Sequence, residues 1–281
     1  MKHSISAIIP NYNYAKFLPE RISSILSQTY PISELIILDD ASTDNSVEVI
    51  DQEISSIKKS HPSLKVKFIK NTKNSGSVFS QWQKGISEVT SDYFWIAEAD
   101  DSCDSRFLET IFSNINDQVV LAYTDSKMIN IDGTSNFRRN ARQFYNKLTN
   151  CRWHKNYTNS GIVEIEEVLC VYNTIPNVSA VVFKYNRQLL SYLDEAKKYR
   201  LAGDWYFYYQ ILQKGDISYI AKKLNYQRIH KTSVTKITTH KEHLEEIKSI
   251  HLLISQNNTL SAKAKKSMQK YENYLKKIWR I

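Results

Sequence analysis

Between Trp95 and Asp101 the chain reads WIAEADD. An apolar run with the character of a buried strand gives way to Glu98, Asp100 and Asp101. A carboxylate removed from water costs free energy unless it is paired or coordinated. These acids therefore stand in solvent at a strand end, or they hold something positive. Glu98 and Asp100 are two residues apart, and alternate residues of an extended segment point the same way. Either carboxylate can then reach a metal ion or a ribose; the ordinary alternative is a solvated turn. Further polar groups stand at comparable points. Asn11 and Tyr12 follow the apolar run Ile5–Ile9, and Asp39 and Asp40 follow Leu35–Leu38.

The elements that must position these groups follow from periodicity. Ile5–Ile9, Leu35–Leu38, Val66–Ile69, Tyr93–Ala97 and Val119–Tyr123 read as short buried strands. Helices are expected between them. Pro19 opens one with Leu18, Ile22, Ile25 and Leu26 inward; Asp44 caps a second carrying Val47, Ile50, Ile54 and Ile57. Gly76 precedes a third with Val78, Trp82, Ile86 and Val89 facing the core, and Phe107–Phe112 makes a fourth. Apolar strands alternating with amphipathic helices give an α/β fold, a mostly parallel sheet covered on both faces. Such sheets bind ligands beyond the carboxyl ends of their strands, where the three polar clusters converge. In the second half, Val178–Phe183 and Ile217–Ile220 read as strands, Trp205–Leu212 as a helix and residues 133–162 as a long loop. We expect three regions, residues 1–125, residues 126–239 and a helical tail over 240–281.

Composition narrows the classes. The chain carries a formal net charge of +9 over 281 residues, with 18 Tyr, 6 Gly and 3 Cys. The cysteines show no CxxC spacing, so neither a disulfide framework nor a zinc site is expected. A cytoplasmic location is expected, and no apolar run is long enough to span a bilayer. With so few glycines there is no GxGxxG after the first strand and no GxxxxGK[ST] anywhere. Phosphates would need another counter-charge, and a divalent cation held by acids is the substitute.

The segments SAIIPNYNYAKFLPERISSILSQTY, ELIILDDASTDNS and YFWIAEADD together resemble glycosyltransferase family 2. The resemblance is strong over about 125 residues and continues in fragments to about residue 235. It implies a GT-A type Rossmann-like sheet, a nucleotide-sugar donor (UDP-linked by preference) bound by the 1–125 half, acceptor binding and catalysis in the 126–239 half, and Mn²⁺ or Mg²⁺. The acceptor would be a hydroxyl of a glycan, glycolipid or glycoprotein; no nucleic acid partner is expected. By resemblance, Pro10 and Tyr12 lie beside the base in the loop after the first strand, and Asp40 meets the base or ribose. EAD stands at the family's DxD position, which makes Asp100 the metal ligand. Glu98, where the family usually has Asp, would contact ribose or water around the metal. Asp101 is either an outer support or a helix start. AGDWYFYYQ resembles the segment that carries the catalytic base, so Asp204 is the candidate, with helix capping as the alternative. YQRIHKTSVT resembles the late segment whose His approaches metal or diphosphate, which maps to His230 with Arg228 and Ser233 beside it.

Rival assignments fare worse. A sugar-phosphate nucleotidyltransferase wants a loop with Gly and Arg after the first strand, and PNYNYAKF has neither. A phosphatase wants acids separated by one residue, and those of LDDAST are adjacent. A non-catalytic sugar-nucleotide-binding or scaffold subunit has only the Glu98 departure in its favour. The tail holds nine Lys or Arg against four Glu. Its stripe Ala264, Met268, Tyr271, Leu275, Ile278 has three candidate roles: packing on the preceding helix, a homo-oligomer contact, or peripheral contact with the inner face of a membrane. In each case the tail is expected to be helical and separate from the chemistry.

Overall fold

The computed structural model describes residues 3–136, 152–229 and 239–281. The first half runs β1 (Ile5–Asn11), α1 (Leu18–Leu26), β2 (Glu34–Asp39), α2 (Ser46–Ser60), β3 (Lys65–Lys70), α3 (Val78–Ser87), β4 (Tyr93–Ile96), β5 (Ser102–Cys103), α4 (Phe107–Phe112) and β6 (Val119–Ile129). The second half continues with β7 (Tyr157–Asn159), α5 (Gly161–Glu164), β8 (Val181–Lys184), α6 (Leu189–Ala196), α7 (Gly203–Leu212), β9 (Asp216–Arg228), α8 (His240–Asn257) and α9 (Ala262–Trp279). Among the described residues the strands form one sheet in the order β3-β2-β1-β4-β8-β6-β9-β5, with β7 on β9.

The expected parallel order holds from β3 to β4, with Ile8 opposite both Ile36 and Ile96. β8 then enters antiparallel between β4 and β6, pairing Trp95 with Val182 and Ala122 with Val182. Adjacent strand residues send side chains to opposite faces. Ile5, Ala7 and Ile9 join α1, α2 and α4 on one side. Ile8, Ile36 and Phe94 face α3, α7, α8 and α9 on the other. Burial on both faces explains why the strands are apolar throughout rather than alternating.

Several boundaries differ from expectation. Pro10 lies inside β1, opposite Leu38, rather than in the loop after it. Its missing N–H is harmless for a geometric reason. The β1–β4 ladder ends where the Ala97 N–H donates to the Ile8 carbonyl, and Pro10 faces that same side one step later. Asn45, not Asp44, occupies the cap position of α2, and Asp44 instead accepts from the Ser46 and Ala15 N–H groups at 3.0 and 3.1 Å. Val78 is exposed, and Phe79 takes the inward place beside Trp82 and Ile86. Residues Val178–Ala180 form a 3₁₀ turn before β8, and β9 runs well past Ile220.

The tail is helical and belongs to the main core. Thr239 and Glu242 form a reciprocal cap at the start of α8. Leu244, Ile247 and Ile254 of α8 and Ala264, Met268 and Leu275 of α9 share one apolar cluster with Trp205 and Phe207. The stripe thus packs inward, except that Ile278 is exposed. Among the described residues no helix is long and apolar enough to cross a membrane.

Candidate active site

Three strands deliver their ends to one edge. At the end of β1, the Asn11 side chain donates to Asp39 Oδ1 at 2.9 Å and to the Ser42 hydroxyl at 3.2 Å. Asp39 Oδ2 accepts from the Ser42 N–H at 3.0 Å. Asn11 and Asp39 therefore brace the edge from inside, both buried. Tyr12, the next residue, is 44% exposed and offers its ring to solvent.

Asp40 is buried and its carboxylate is engaged by the protein. Asn71 donates to it at 2.6 Å, the Ser75 N–H at 2.9 Å, the Ser75 hydroxyl at 2.7 Å and Gln81 at 2.8 Å. Where the base or ribose contact was expected, Asp40 anchors the loop between β3 and α3. Gly76 closes that loop at φ +69°, a conformation side chains disfavour.

The acid segment has a different role for each residue. Glu98 accepts from the Trp82 indole N–H at 3.1 Å, and its own N–H donates to the Ser179 hydroxyl at 3.2 Å. Burial, then the neighbouring Asp100 charge, pushes its carboxyl up to about 8. Asp101 Oδ1 accepts from the Arg228 N–H at 2.8 Å and Oδ2 from Asn177 at 2.9 Å. It too is held above the ordinary carboxylate range, by burial and by Asp100. Asp101 is thus a structural acid, not a helix start. Asp100 is part exposed.

Arg228 locks this arrangement. Its guanidinium donates to the Asp100 carbonyl at 2.8 Å, to the Asn130 and Ile131 carbonyls at 3.1 Å, and to Glu20 at 2.6 Å. It also covers the Phe17 ring at 4.8 Å. Arg21 lies fully buried on the Trp95 ring at 4.6 Å, and its charge favours the ionised forms of Glu98 and Asp101. His230 and Ser233 lie outside the described residues.

Asp204 stands in the first turn of α7, which begins at Gly203 with Ala202 at the cap position. It is therefore inside the helix rather than its N-cap. Its Oδ2 accepts from Asn173 at 3.0 Å and its Oδ1 from the Trp205 N–H at 2.7 Å. Burial raises its carboxyl to about 7, against those two hydrogen bonds. α3 spaces it from the acid segment. Trp82 holds Glu98, while the neighbouring Phe79 ring lies so close to Gly203 that a Cβ there would meet it at 2.5 Å. The Tyr208 hydroxyl feels the charges of both Asp204 and Glu98, each raising its pKa after burial.

Sequence reasoning missed Asn173, Trp82 and the extent of Arg228's bonding. The helical spacing of Trp82 marks it only as a core residue, and Asn173 carries no spacing signal. Among the described residues no group of three or more His, Cys, Asp or Glu could hold an ion by itself. A cation at Asp100 would need substrate oxygens to complete its shell, and that suits a hard divalent ion shared with a diphosphate.

The sequence model described as Glycosyl transferase family 2 matches residues 6–193. Glycosyltransferase GlyG of Streptococcus pneumoniae is 30% identical over 118 residues, 42% of this chain and 37% of that protein. The chain thus matches little more than a third of that relative's length. S. aureus TarS 1–349 in complex with UDP-GlcNAc superposes with TM-score 0.67 at 16% identity, over 98% of this chain and 73% of that one. The mannosyltransferase PcManGT from Pyrobaculum calidifontis, in complex with GDP-Man and Mn²⁺, gives TM-score 0.62 at 17% identity, over 98% and 70%. The two structures share the fold with this chain.

Proposed function

The chain belongs to glycosyl transferase family 2, and from that premise we propose that it moves a hexose from a nucleotide sugar to an acceptor hydroxyl with inversion. The donor is taken as UDP-linked and the acceptor as a glycan, lipid-linked or protein-linked. The observation that carries this reading is the meeting of two acidic sites across α3. Trp82 touches Glu98, Phe79 of the same helix touches Gly203, and the Tyr208 hydroxyl feels the charges of both Asp204 and Glu98.

Each group then has a task. The exposed Tyr12 ring gives the nucleotide base a flat apolar surface at the strand-end edge. Pro10 inside β1 and Asp40, which anchors the loop after β3, lie at the same edge. A Mn²⁺ or Mg²⁺ ion held by Asp100 together with the donor phosphates would supply positive charge for the departing diphosphate. Glu98, whose carboxylate accepts from the Trp82 indole N–H, meets a ribose hydroxyl or water around the ion. By resemblance His230 joins the metal or diphosphate; Arg228, two residues earlier, is bonded to Asp100 and Asp101.

Asp204 takes the proton from the acceptor hydroxyl as that oxygen bonds to the anomeric carbon. The bond from that carbon to the diphosphate oxygen breaks, and its electron pair leaves with the nucleoside diphosphate. Attack opposite the leaving group inverts the centre, as in inverting hydrolysis with an acceptor replacing water. A carboxyl near 7 is poised between holding and releasing a proton at neutral pH.

The test is consumption of a panel of nucleotide sugars by wild type and Asp100→Asn, with and without chelator. Wild type should consume at least one donor only when Mn²⁺ or Mg²⁺ is present, and Asp100→Asn should lose turnover and metal-dependent nucleotide binding. Full wild-type activity in chelator, or no consumption of any donor, refutes the reading.

A further inference from the structure

The chain immediately before Asp204 is held from outside its own segment. Glu246 of α8 accepts three successive backbone N–H groups: Arg200 at 2.7 Å on Oε1, and Leu201 and Ala202 at 2.9 Å on Oε2. α7 begins at the next residue, Gly203. Backbone donors at a helix start have no partner within the helix, and they attract negative charge. Among the described residues, α7 has no side-chain cap from its own N-cap residue. Glu246 takes that place from another helix.

A second contact from the same helix pair reaches the residue after Asp204. His251 of α8 is buried, with Nδ1 2.7 Å from Glu272 of α9 and Nε2 3.0 Å from the Val171 carbonyl. Its ring meets Trp205 edge-on at 5.6 Å, and the Trp205 indole N–H donates to the Leu169 carbonyl at 2.9 Å. Asp204 therefore lies between a turn fixed by Glu246 and a side chain fixed by His251. Val171 is two residues before Asn173, the Asp204 partner.

We propose that Glu246 is a positioning residue for Asp204, and that α8 and α9 are the device that aims the base. This rests on the general-base reading given above. It reverses the expectation that residues 240–281 stand apart from the chemistry. Glu246 touches neither substrate nor reacting atoms. Its three hydrogen bonds fix the height and rotation of the first turn of α7, from which the carboxylate projects. A displacement of about 1 Å at a reacting group can cost about 10²-fold in rate.

The experiment uses the full chain with Glu246→Ala, Glu246→Gln and, in parallel, Asp204→Asn. Glu246→Ala should lower the transfer kcat by about 10- to 100-fold, with donor KM within about 2-fold of wild type. Glu246→Gln keeps one acceptor oxygen and should fall between. Amide hydrogen exchange at Arg200, Leu201 and Ala202 should quicken in both variants. The acid limb of the rate profile should also move to lower pH, because the Glu246 charge raises the Asp204 pKa. Among the described residues, Tyr208 on the same helix feels the Asp204 charge and His251, bonded to Glu272, faces Trp205, and neither variant alters these side chains. Should Glu246→Ala fail to fold, Glu246→Gln decides by the same readings. Quickened exchange with unchanged kcat, or equal loss of donor binding and rate, overturns the proposal. An active Asp204→Asn instead removes the base assignment on which it stands.

Discussion

Replacing Asp204 by Asn should stabilise the protein at alkaline pH and not at acid pH, and the size of that change can be worked from its surroundings. Burial holds the carboxyl at about 7 against an ordinary 3.8. That difference corresponds to roughly 4 kcal/mol of ionisation cost, a ceiling because Asp204 is part exposed. The folded protein holds this proton more tightly than the unfolded chain. The cost is therefore absent below the unfolded value, grows as pH rises, and is complete above about 7. Asn escapes it. Asn also has one acceptor oxygen for two donors, Asn173 and the Trp205 N–H, and loses about 1 kcal/mol for the unmatched one. The variant should be about 2–3 kcal/mol more stable than wild type at pH 8. At pH 4 the gain should be gone, leaving it up to about 1 kcal/mol less stable. Equilibrium denaturant unfolding followed by circular dichroism at the two pH values measures this. An equal difference at both refutes the buried, proton-holding carboxyl. The same substitution should lower transfer by about 10² to 10⁴-fold, and wild-type transfer should rise with pH through about 7.

Tyr12→Ala should raise donor KM by about tenfold with little change in kcat, since stacking of a base on an aromatic ring contributes about 1–3 kcal/mol; Tyr12→Phe should stay near wild type, and an unchanged KM in Tyr12→Ala removes the stacking role. Gly203→Ala sets a methyl 2.5 Å from the Phe79 ring and 2.6 Å from the Ala196 carbonyl, so α7 must shift. Thermal unfolding should show a loss of about 1–3 kcal/mol and steady-state assays a lower kcat at constant donor KM, whereas wild-type kcat would mean that this spacing does not set the base.

The strands and the polar groups at their ends were legible because hydropathy reports burial directly. Leu35–Leu38 and Phe94–Ala97 run without a polar residue, and Ile5–Ile9 is broken only by the buried Ser6, as strands covered on both faces require. The antiparallel entry of β8 was not legible, since the run around Val181 is equally apolar in either direction. Resemblance found Asp204, but its partner Asn173 is thirty-one residues earlier and meets it only in the folded chain. The four protein donors to Asp40 come from the loop at 71–75 and from α3, and nothing in LDDAST points to them. Glu246 looked like one more surface charge, as its partners are backbone N–H groups and so carry no residue type.

The position of β8 sets where this chain can be cut or recombined. Val181–Lys184 comes late in the sequence yet lies between β4 and β6, both made of early residues. A fragment ending at residue 125 would leave a slot one strand wide through the middle of the sheet. The unpaired groups along both walls of that slot would be open to strands of other molecules. Exchange of early segments between related chains at that junction would bring together a β4, a β8 and a β6 of mixed origin. Phe94 stacks on Phe183 at 5.0 Å and Trp95 donates to the Ser179 carbonyl at 2.7 Å, so such chimaeras must carry matched residues at 94–95 and 179–183 to close the sheet.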